Sequence, residues 1–406
     1  MKRKIKQKIF SLNNINWDFH DKGILSIGEK KPFDSRKFHW YPATYIAEIP
    51  YSLIEILAEE DDIVYDPFAG IGTTFFQTLI LNRQPIASDS NSIGVNYIKS
   101  LAHIVLNEKD LITLKQKILE KINSFDKTDD YSRYLTEEKY LILSPWFEKD
   151  SLNELVYLYK IYKESEGSVK KTIYILISGL IKTSCAQHRG WGYIADNVKP
   201  KEDQFLYRNI IDTFLRKLAL FLNELKILQA SIADNKKLED DLSKIIFQHD
   251  ATKEIPIPCN TVDLIVTSPP YPNMIDYSKS QRLLYYLFDY NMKEDLTKEI
   301  GARAFRNRKH AIVDYIDKMK SSLKNITKVL KVDGLVCLVL PYYENVKNKN
   351  NLIRQQAINT LLEWLEDNNF EKEHTILRTI SHTKRNQNAS LASLNQEQIV
   401  VLRKIK

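Results

Sequence analysis

Hydrophobic and polar positions along this chain fall into three stretches. In the first, from about residue 38 to 105, residues 52–58 read as a short helix. Ile63, Val64 and Tyr65 form a buried strand ending at Asp66 and Pro67. A glycine turn, Gly70-Ile71-Gly72, leads into a helix over 73–81, then a strand over 85–88 that ends at Asp89, and a helix from about 93. From about 106 to 240 the pattern is helical only. Ile211, Phe214, Leu215, Leu218, Phe221, Leu222, Leu225, Leu228 and Ile232 recur at i, i+3, i+4, i+7, the apolar face of one long helix. Residues 152–162 and 170–183 also read as helices. The third stretch returns to alternation. It has a strand over 245–248 ending near Asp250 and a buried strand over 262–267 that runs into Ser268-Pro269-Pro270-Tyr271. A helix over 315–330, a strand over 335–340 and a helix over 351–368 follow. Residues 375–380 and 398–402 then read as an antiparallel hairpin.

Strands alternating with helices predict an α/β, doubly wound sheet. Neither flanking stretch has enough strands for a complete sheet, so the two join into one. The expected organisation is an N-terminal part of the sheet domain over 1–105, a helical insert over 106–240, and the C-terminal part over 241–406.

The 406-residue length accommodates one large α/β domain with an inserted module. A hydrophobic fraction of 43% with 27% charged residues belongs to a globular chain and excludes long disorder. Apolar runs such as 173–181 fall short of the ~18 residues that span a bilayer, and no apolar core follows the basic opening residues. A cytoplasmic protein with no membrane contact is expected. Cys185, Cys259 and Cys337 are scattered and make no metal-ligand spacing with the histidines, so no metal site is expected. The net charge of +7 fits a polyanionic partner.

Two motifs carry chemistry. In Asp66-Pro67-Phe68-Ala69-Gly70-Ile71-Gly72-Thr73-Thr74, the glycines let backbone approach a ligand beyond the end of a strand. The string lacks the third glycine of a dinucleotide fingerprint. Asp66 would repel a pyrophosphate and favour a cationic amino group, which points to a cofactor such as S-adenosylmethionine. Asp89, ending the next strand, is placed to accept from ribose hydroxyls. The second motif is Ser268-Pro269-Pro270-Tyr271. Consecutive prolines fix φ and remove two donors, leaving a rigid turn rich in acceptors. The Pro269 carbonyl and the Ser268 side chain can both accept from one NH2 group. That frees the nitrogen lone pair to attack a methyl sulfonium in line. Tyr271 offers a flat face for an extruded base. Such catalysis is positioning and preorganised electrostatics, without metal or covalent nucleophile.

With these residues in view, DPFAGIGTT and TSPPY resemble the cofactor and catalytic motifs of the amino-DNA methyltransferases of restriction-modification and related systems. The resemblance implies a Rossmann-like, seven-stranded S-adenosylmethionine-dependent methyltransferase sheet with a closing antiparallel hairpin. It implies cofactor contacts from Asp66, Pro67, Phe68, Gly70, Gly72, Thr73, Thr74 and Asp89, with Asp250 reading the adenine amino group. Phe38-His39-Trp40-Tyr41-Pro42-Ala43 resembles a segment that closes over the methionine end of the cofactor. Tyr271-Pro272-Asn273-Met274-Ile275-Asp276-Tyr277 resembles the continuation of one SPPY branch, and Arg378-Thr379-Ile380 the family's last hairpin. SPPY goes most often with cytosine N4, and DPPY or NPPY with adenine N6. The expected function is therefore site-specific transfer of methyl to cytosine N4 in double-stranded DNA, with a cognate restriction endonuclease as a further partner. Adenine N6 is the alternative. An RNA base N-methyltransferase and an inactive nucleic-acid-binding subunit are lesser ones.

The helical insert lies outside the commoner positions for a target-recognition domain. Two segments are candidate DNA contacts. Arg189 and Trp191 sit in a glycine-flanked break within the insert. Arg303, Arg306 and Arg308 form a basic patch after the catalytic turn.

Overall fold

Seven strands form a single sheet: β1 (Ile63–Asp66), β2 (Gln84–Asp89), β3 (Ile246–Gln248), β4 (Val262–Thr267), β5 (Leu330–Tyr342), β6 (Phe370–Thr379) and β7 (Gln396–Lys404). Their order is β3-β2-β1-β4-β5-β7-β6. The first five run parallel, and β7 is antiparallel to both β5 and β6. This is the doubly wound sheet with a closing hairpin that the sequence predicts. The computed structural model describes residues 2–19, 31–187, 199–232, 241–306, 309–344, 348–380 and 394–406.

Alternation along the strands divides two cores. Val64, Leu264, Cys337, Val339 and Val401 face one side, and Tyr65, Ile265, Val336, Leu338 and Val400 face the other. Helices Ala311–Val329 and Lys349–Asp367 cover the second side. The first side is covered by helices on either side of β1, and by the long helices that follow β2. Ile118, Leu155, Ile177, Phe214 and Leu225 of helices Leu111–Ile122, Lys149–Lys163, Gly167–Ser184 and Ile210–Ser231 belong to the same continuous core as the sheet. The helical insert thus shares its apolar interior with the sheet.

Several elements exceed the sequence expectation. The helix expected at 52–58 begins earlier, at Glu48, and spans Glu48–Leu57. β5 starts at Leu330, five residues before the expected strand. Its register against β4 shifts between Val262 and Leu264, and Asp333 takes a positive φ, 64°, so Asp333-Gly334 is an irregularity within the strand. The basic opening residues belong to a helix, Lys2–Ser11. After it, buried Trp17 accepts at its carbonyl from Arg378 Nε (3.1 Å) and Asp18 accepts from the Thr379 N–H (2.6 Å), strapping the N-terminal segment to the closing hairpin.

Among the described residues, no helix is long and apolar enough to cross a membrane.

Candidate active site

β1 and β4 are parallel neighbours, with Val64 beside Leu264 and Tyr65 beside Ile265. The chain leaves β1 toward β2 on one side of the sheet, while β4 continues the other side. This reversal is where open α/β sheets leave a crevice at their carboxyl ends. The glycine turn follows β1 and Ser268-Pro269-Pro270-Tyr271 follows β4, so both motifs open onto that crevice.

Asp66 joins them from beneath. It is 1% exposed. One carboxylate oxygen accepts from Thr74 Oγ1 (2.6 Å), and the other from Thr267 Oγ1 (2.6 Å) and the Phe68 N–H (3.1 Å). Burial is the main cause that pushes its carboxyl up to about 6, against those hydrogen bonds. Sequence reasoning assigned Asp66 to a cationic ligand group. The structure gives its oxygens three donors from the chain, tying the glycine turn and its helix to the last residue of β4.

Gly72 caps the Thr73–Ile80 helix at φ 80°, a left-handed conformation that a side chain strains. Gly70, at φ 53°, donates its N–H to Asp89 (2.8 Å), whose other oxygen accepts from the Asn91 N–H (2.8 Å). Asp89 thereby fixes the turn to the end of β2. Burial, reinforced by the charges of Asp66 and Asp295, outweighs those N–H bonds and lifts its carboxyl to about 6. Helix Ser92–Asn107 begins against the turn at Gly94, where a Cβ would lie 2.3 Å from the Gly70 carbonyl oxygen. Asp295 holds this junction. It accepts from the Ser92 N–H (2.8 Å), Ser92 Oγ (2.7 Å), Tyr285 Oη (2.7 Å) and Gln248 Nε2 (2.8 Å).

These elements line a cleft open to solvent. Tyr41 to Tyr45 form one wall; a Cβ on Gly70 would approach the Tyr41 ring to 3.2 Å, and Tyr41 lies 5.9 Å from the Tyr277 ring. Of the expected cofactor residues, Pro67, Phe68, Gly70, Thr73 and Asp89 line the cleft. Asp66 and Thr74 lie buried beneath it. Asp250 is half-buried and accepts from the Thr252 N–H (2.9 Å) and Oγ1 (2.7 Å), while its neighbours His249 and Ala251 line the cleft.

Ser268 and Pro270 line the same cleft. Ser268 Oγ donates to the Val339 carbonyl (3.3 Å), and the Pro270 carbonyl accepts from Tyr315 Oη (3.0 Å). No described residue donates to the Pro269 carbonyl. Tyr271 is 8% exposed; its hydroxyl donates to Glu397 (3.0 Å), which pairs with Arg378. Burial and the Glu397 charge hold the Tyr271 hydroxyl well above its ordinary range.

The basic patch is stitched to the loop after the Ser268-Pro269-Pro270-Tyr271 turn. The Arg303 N–H donates to the Ile275 carbonyl (3.0 Å) and the Ala304 N–H to Asp276 (2.7 Å). Arg306 is exposed and Arg303 half-buried. Arg189, Trp191 and Arg308 lie outside the described residues. Among those described, no cluster of His, Cys, Asp or Glu could hold a metal.

Sequence reasoning missed Glu299, a buried acid lining the cleft. A lone glutamate after a short helix carries no pattern to find it by. It also missed Asp295 and Tyr285, whose roles depend on chain crossings that no local period encodes.

Sheet order and site define a methyltransferase-like cleft, and the comparisons with known proteins agree. The profile of the N6_N4_Mtase family, DNA methylases, matches residues 3–107 and 262–406, and the chain belongs to that family. The unmatched stretch between holds most of the helical insert and β3. The Type II methyltransferase M.BsoBI of Geobacillus stearothermophilus is 28% identical over 270 residues, covering 61% of this chain and 51% of that protein. The Type II methyltransferase M.MjaII of Methanocaldococcus jannaschii is 22% identical over 399 residues, covering 78% of this chain and 72% of that protein. The chain therefore spans about half the length of the first relative.

Proposed function

We propose that this protein transfers a methyl group from S-adenosylmethionine to the exocyclic N4 of cytosine in double-stranded DNA. The observation that carries the reading is the pairing of β1 with β4, which brings the glycine turn and, through Ser268 and Pro270, the proline turn to one cleft. Membership in the DNA methylase family implies S-adenosylmethionine as methyl donor. The cleft fits it: Asp89 presents a carboxylate to a diol, glycines open the floor, and Thr73 Oγ1 and Glu299 Oε2 are buried in the lining residues without partners among the described residues.

When bound, that cofactor supplies a methyl group already activated on a cationic sulfur. The chain's part is positioning. Asp89 orients the ribose side of the cleft. The Pro269 carbonyl and Ser268 Oγ accept from the target amine, drawing its lone pair out of conjugation. Tyr271, clamped by Glu397, holds the face against which an extruded base rests. Arg303 and Arg306 contact phosphate beside the turn. We take the helical insert as the target-reading module. Asp250 orders the loop that reads the adenine. The relatives are named Type II methyltransferases, and we place this chain in the cytoplasm beside a cognate restriction endonuclease.

The test is to incubate the purified protein with S-adenosylmethionine and, in parallel, unmethylated bacterial DNA or tRNA, digest to nucleosides and read them by mass spectrometry. N4-methylcytosine is the expected product. N6-methyladenine would keep the cleft and cofactor and overturn the base. Methylated tRNA with unmodified DNA would overturn the substrate.

A further inference from the structure

Glu299 follows the Met292–Lys298 helix and is 5% exposed, yet it lines the cleft. Its two carboxylate oxygens have different surroundings. Oε1 accepts from the backbone N–H of Ser278. Oε2 is buried and has no hydrogen-bond partner among the described residues. Nearby cations do not serve it. Lys298 Nζ is held by Glu294 at 2.6 Å, and Lys318 Nζ donates to the Glu299 backbone carbonyl at 3.4 Å. A buried acceptor without a donor is costly, and buried polar atoms in folded proteins are nearly always satisfied. This one sits in the wall of the cleft, where a ligand can supply what the chain does not.

We propose that Glu299 is a cofactor-holding residue whose Oε2 accepts a hydrogen bond from an O–H or N–H donor of the bound methyl donor. The proposal rests on the S-adenosylmethionine reading above. The donor it needs is present twice in that molecule, as the ribose hydroxyls and as the ammonium of the methionine end. The groups around the carboxyl are anionic or neutral: Asp276, Tyr277 and, across the cleft lining, Asp89 and Tyr41. Burial, with the Asp276 charge adding to it, outweighs the Ser278 hydrogen bonds and lifts the Glu299 carboxyl to about 7. A ligand that brings a hydrogen-bond donor, or a positive charge, pulls it back toward the carboxylate.

The experiment is calorimetric titration of the full chain, wild type, Glu299→Leu and Glu299→Gln. The probes are S-adenosylmethionine, S-adenosylhomocysteine and 5′-methylthioadenosine, with thermal melting as the check on folding. Leucine fills the site without an acceptor. In the glutamine variant, the amide oxygen stays on the Ser278 N–H and the NH2 turns to the cleft, so donor meets donor. Both variants are expected to weaken S-adenosylmethionine binding by about 10-fold or more, the effect of losing a hydrogen bond to a charged group. A matching loss for 5′-methylthioadenosine, which has the ribose but no methionine end, assigns the donor to the ribose. A loss confined to the two amino-acid-bearing probes assigns it to the ammonium. Unchanged affinities in both variants, with a wild type that binds, overturn the proposal and leave the cofactor reading standing. A wild type that binds none of the three overturns both.

Discussion

The hydroxyl of Tyr271 donates to Glu397 at 3.0 Å, so the tyrosine of the catalytic turn is anchored to the last strand of the sheet. Glu397 in turn pairs with Arg378 on β6, and Arg378 Nε reaches the Trp17 carbonyl. The closing hairpin and the N-terminal segment therefore bear on the geometry of the active turn. Tyr271→Ala should lower kcat on the order of 100-fold while S-adenosylmethionine affinity, read by calorimetry, stays near wild type. Tyr271→Phe keeps the ring and leaves Glu397 its ion pair, so its loss should be much smaller. A Tyr271→Ala enzyme with full turnover would remove Tyr271 from the mechanism.

Ser268 lines the cleft and spends its hydroxyl proton on the Val339 carbonyl, leaving the oxygen to accept. Ser268→Ala should likewise lower turnover with little change in cofactor affinity. Equal losses in both quantities would mean that the serine supports the cleft rather than the amine.

Asp66 predicts a contrast between two substitutions. Asp66→Ala strands the Thr267 hydroxyl and the Phe68 N–H, at about 1–3 kcal/mol for each donor left without a partner, while Thr74 Oγ1 keeps the Val266 carbonyl (3.2 Å). Stability and cofactor affinity should both fall. Asp66→Asn keeps hydrogen-bonding atoms in place and removes a buried charge. The folded carboxyl titrates at about 6, above its ordinary 3.8. Wild-type stability from this group is complete below 3.8 and is lost as pH rises through 6, by up to roughly 3 kcal/mol. Denaturation midpoints of Asp66→Asn relative to wild type should therefore improve between pH 5 and pH 7.5. A constant difference across that range would show that burial does not control this carboxyl.

The strands and most helices were legible because each has its own period. The apolar run in Val262–Thr267 and the i, i+3, i+4 face of Ile210–Ser231 are local properties of sequence. The glycine turn and the proline turn were legible because backbone geometry restricts which residues can occupy them. Contacts made across the sheet were not. Asp66 read as a ligand group because the sequence does not show that Thr267, two hundred and one positions on, lies against it. Glu299 and Asp295 sit among short helices with no long apolar stripe, and only the fold brings them to the cleft and to Ser92. The N-terminal strap was missed for the same reason: Trp17 is buried by a hairpin 361 residues away.

Gly94 tests how closely the Ser92–Asn107 helix must approach the turn. A Cβ there would sit 2.3 Å from the Gly70 carbonyl oxygen, a backbone atom that cannot swing aside. Gly94→Ala should cost about 1–3 kcal/mol in stability through overpacking and should also weaken cofactor binding. Gly167→Ala is the control. It meets nothing within 4 Å and carries only the strain of φ 55°, about 1–2 kcal/mol, so its cofactor affinity should be unchanged.

With Asp89 in the proposed cofactor role, binding should depend on pH. Burial, with Asp66 and Asp295 adding their charges, holds its carboxyl at about 6 in the free protein. A ligand that donates hydroxyl hydrogens and carries positive charge binds the carboxylate form better. The part of the S-adenosylmethionine affinity that Asp89 contributes should therefore rise with pH through about 6 and level off above it, by as much as tenfold per pH unit on the acid side, with Glu299 adding a further rise near 7. His249, Lys298 and Glu299 face the same cleft, so the comparison that isolates Asp89 is Asp89→Asn, measured by calorimetry from pH 5 to 8. The variant should bind more weakly at pH 8 and approach wild type at pH 5, where the wild-type carboxyl is itself mostly neutral. Parallel profiles for the two proteins would assign the pH dependence to another group lining the cleft.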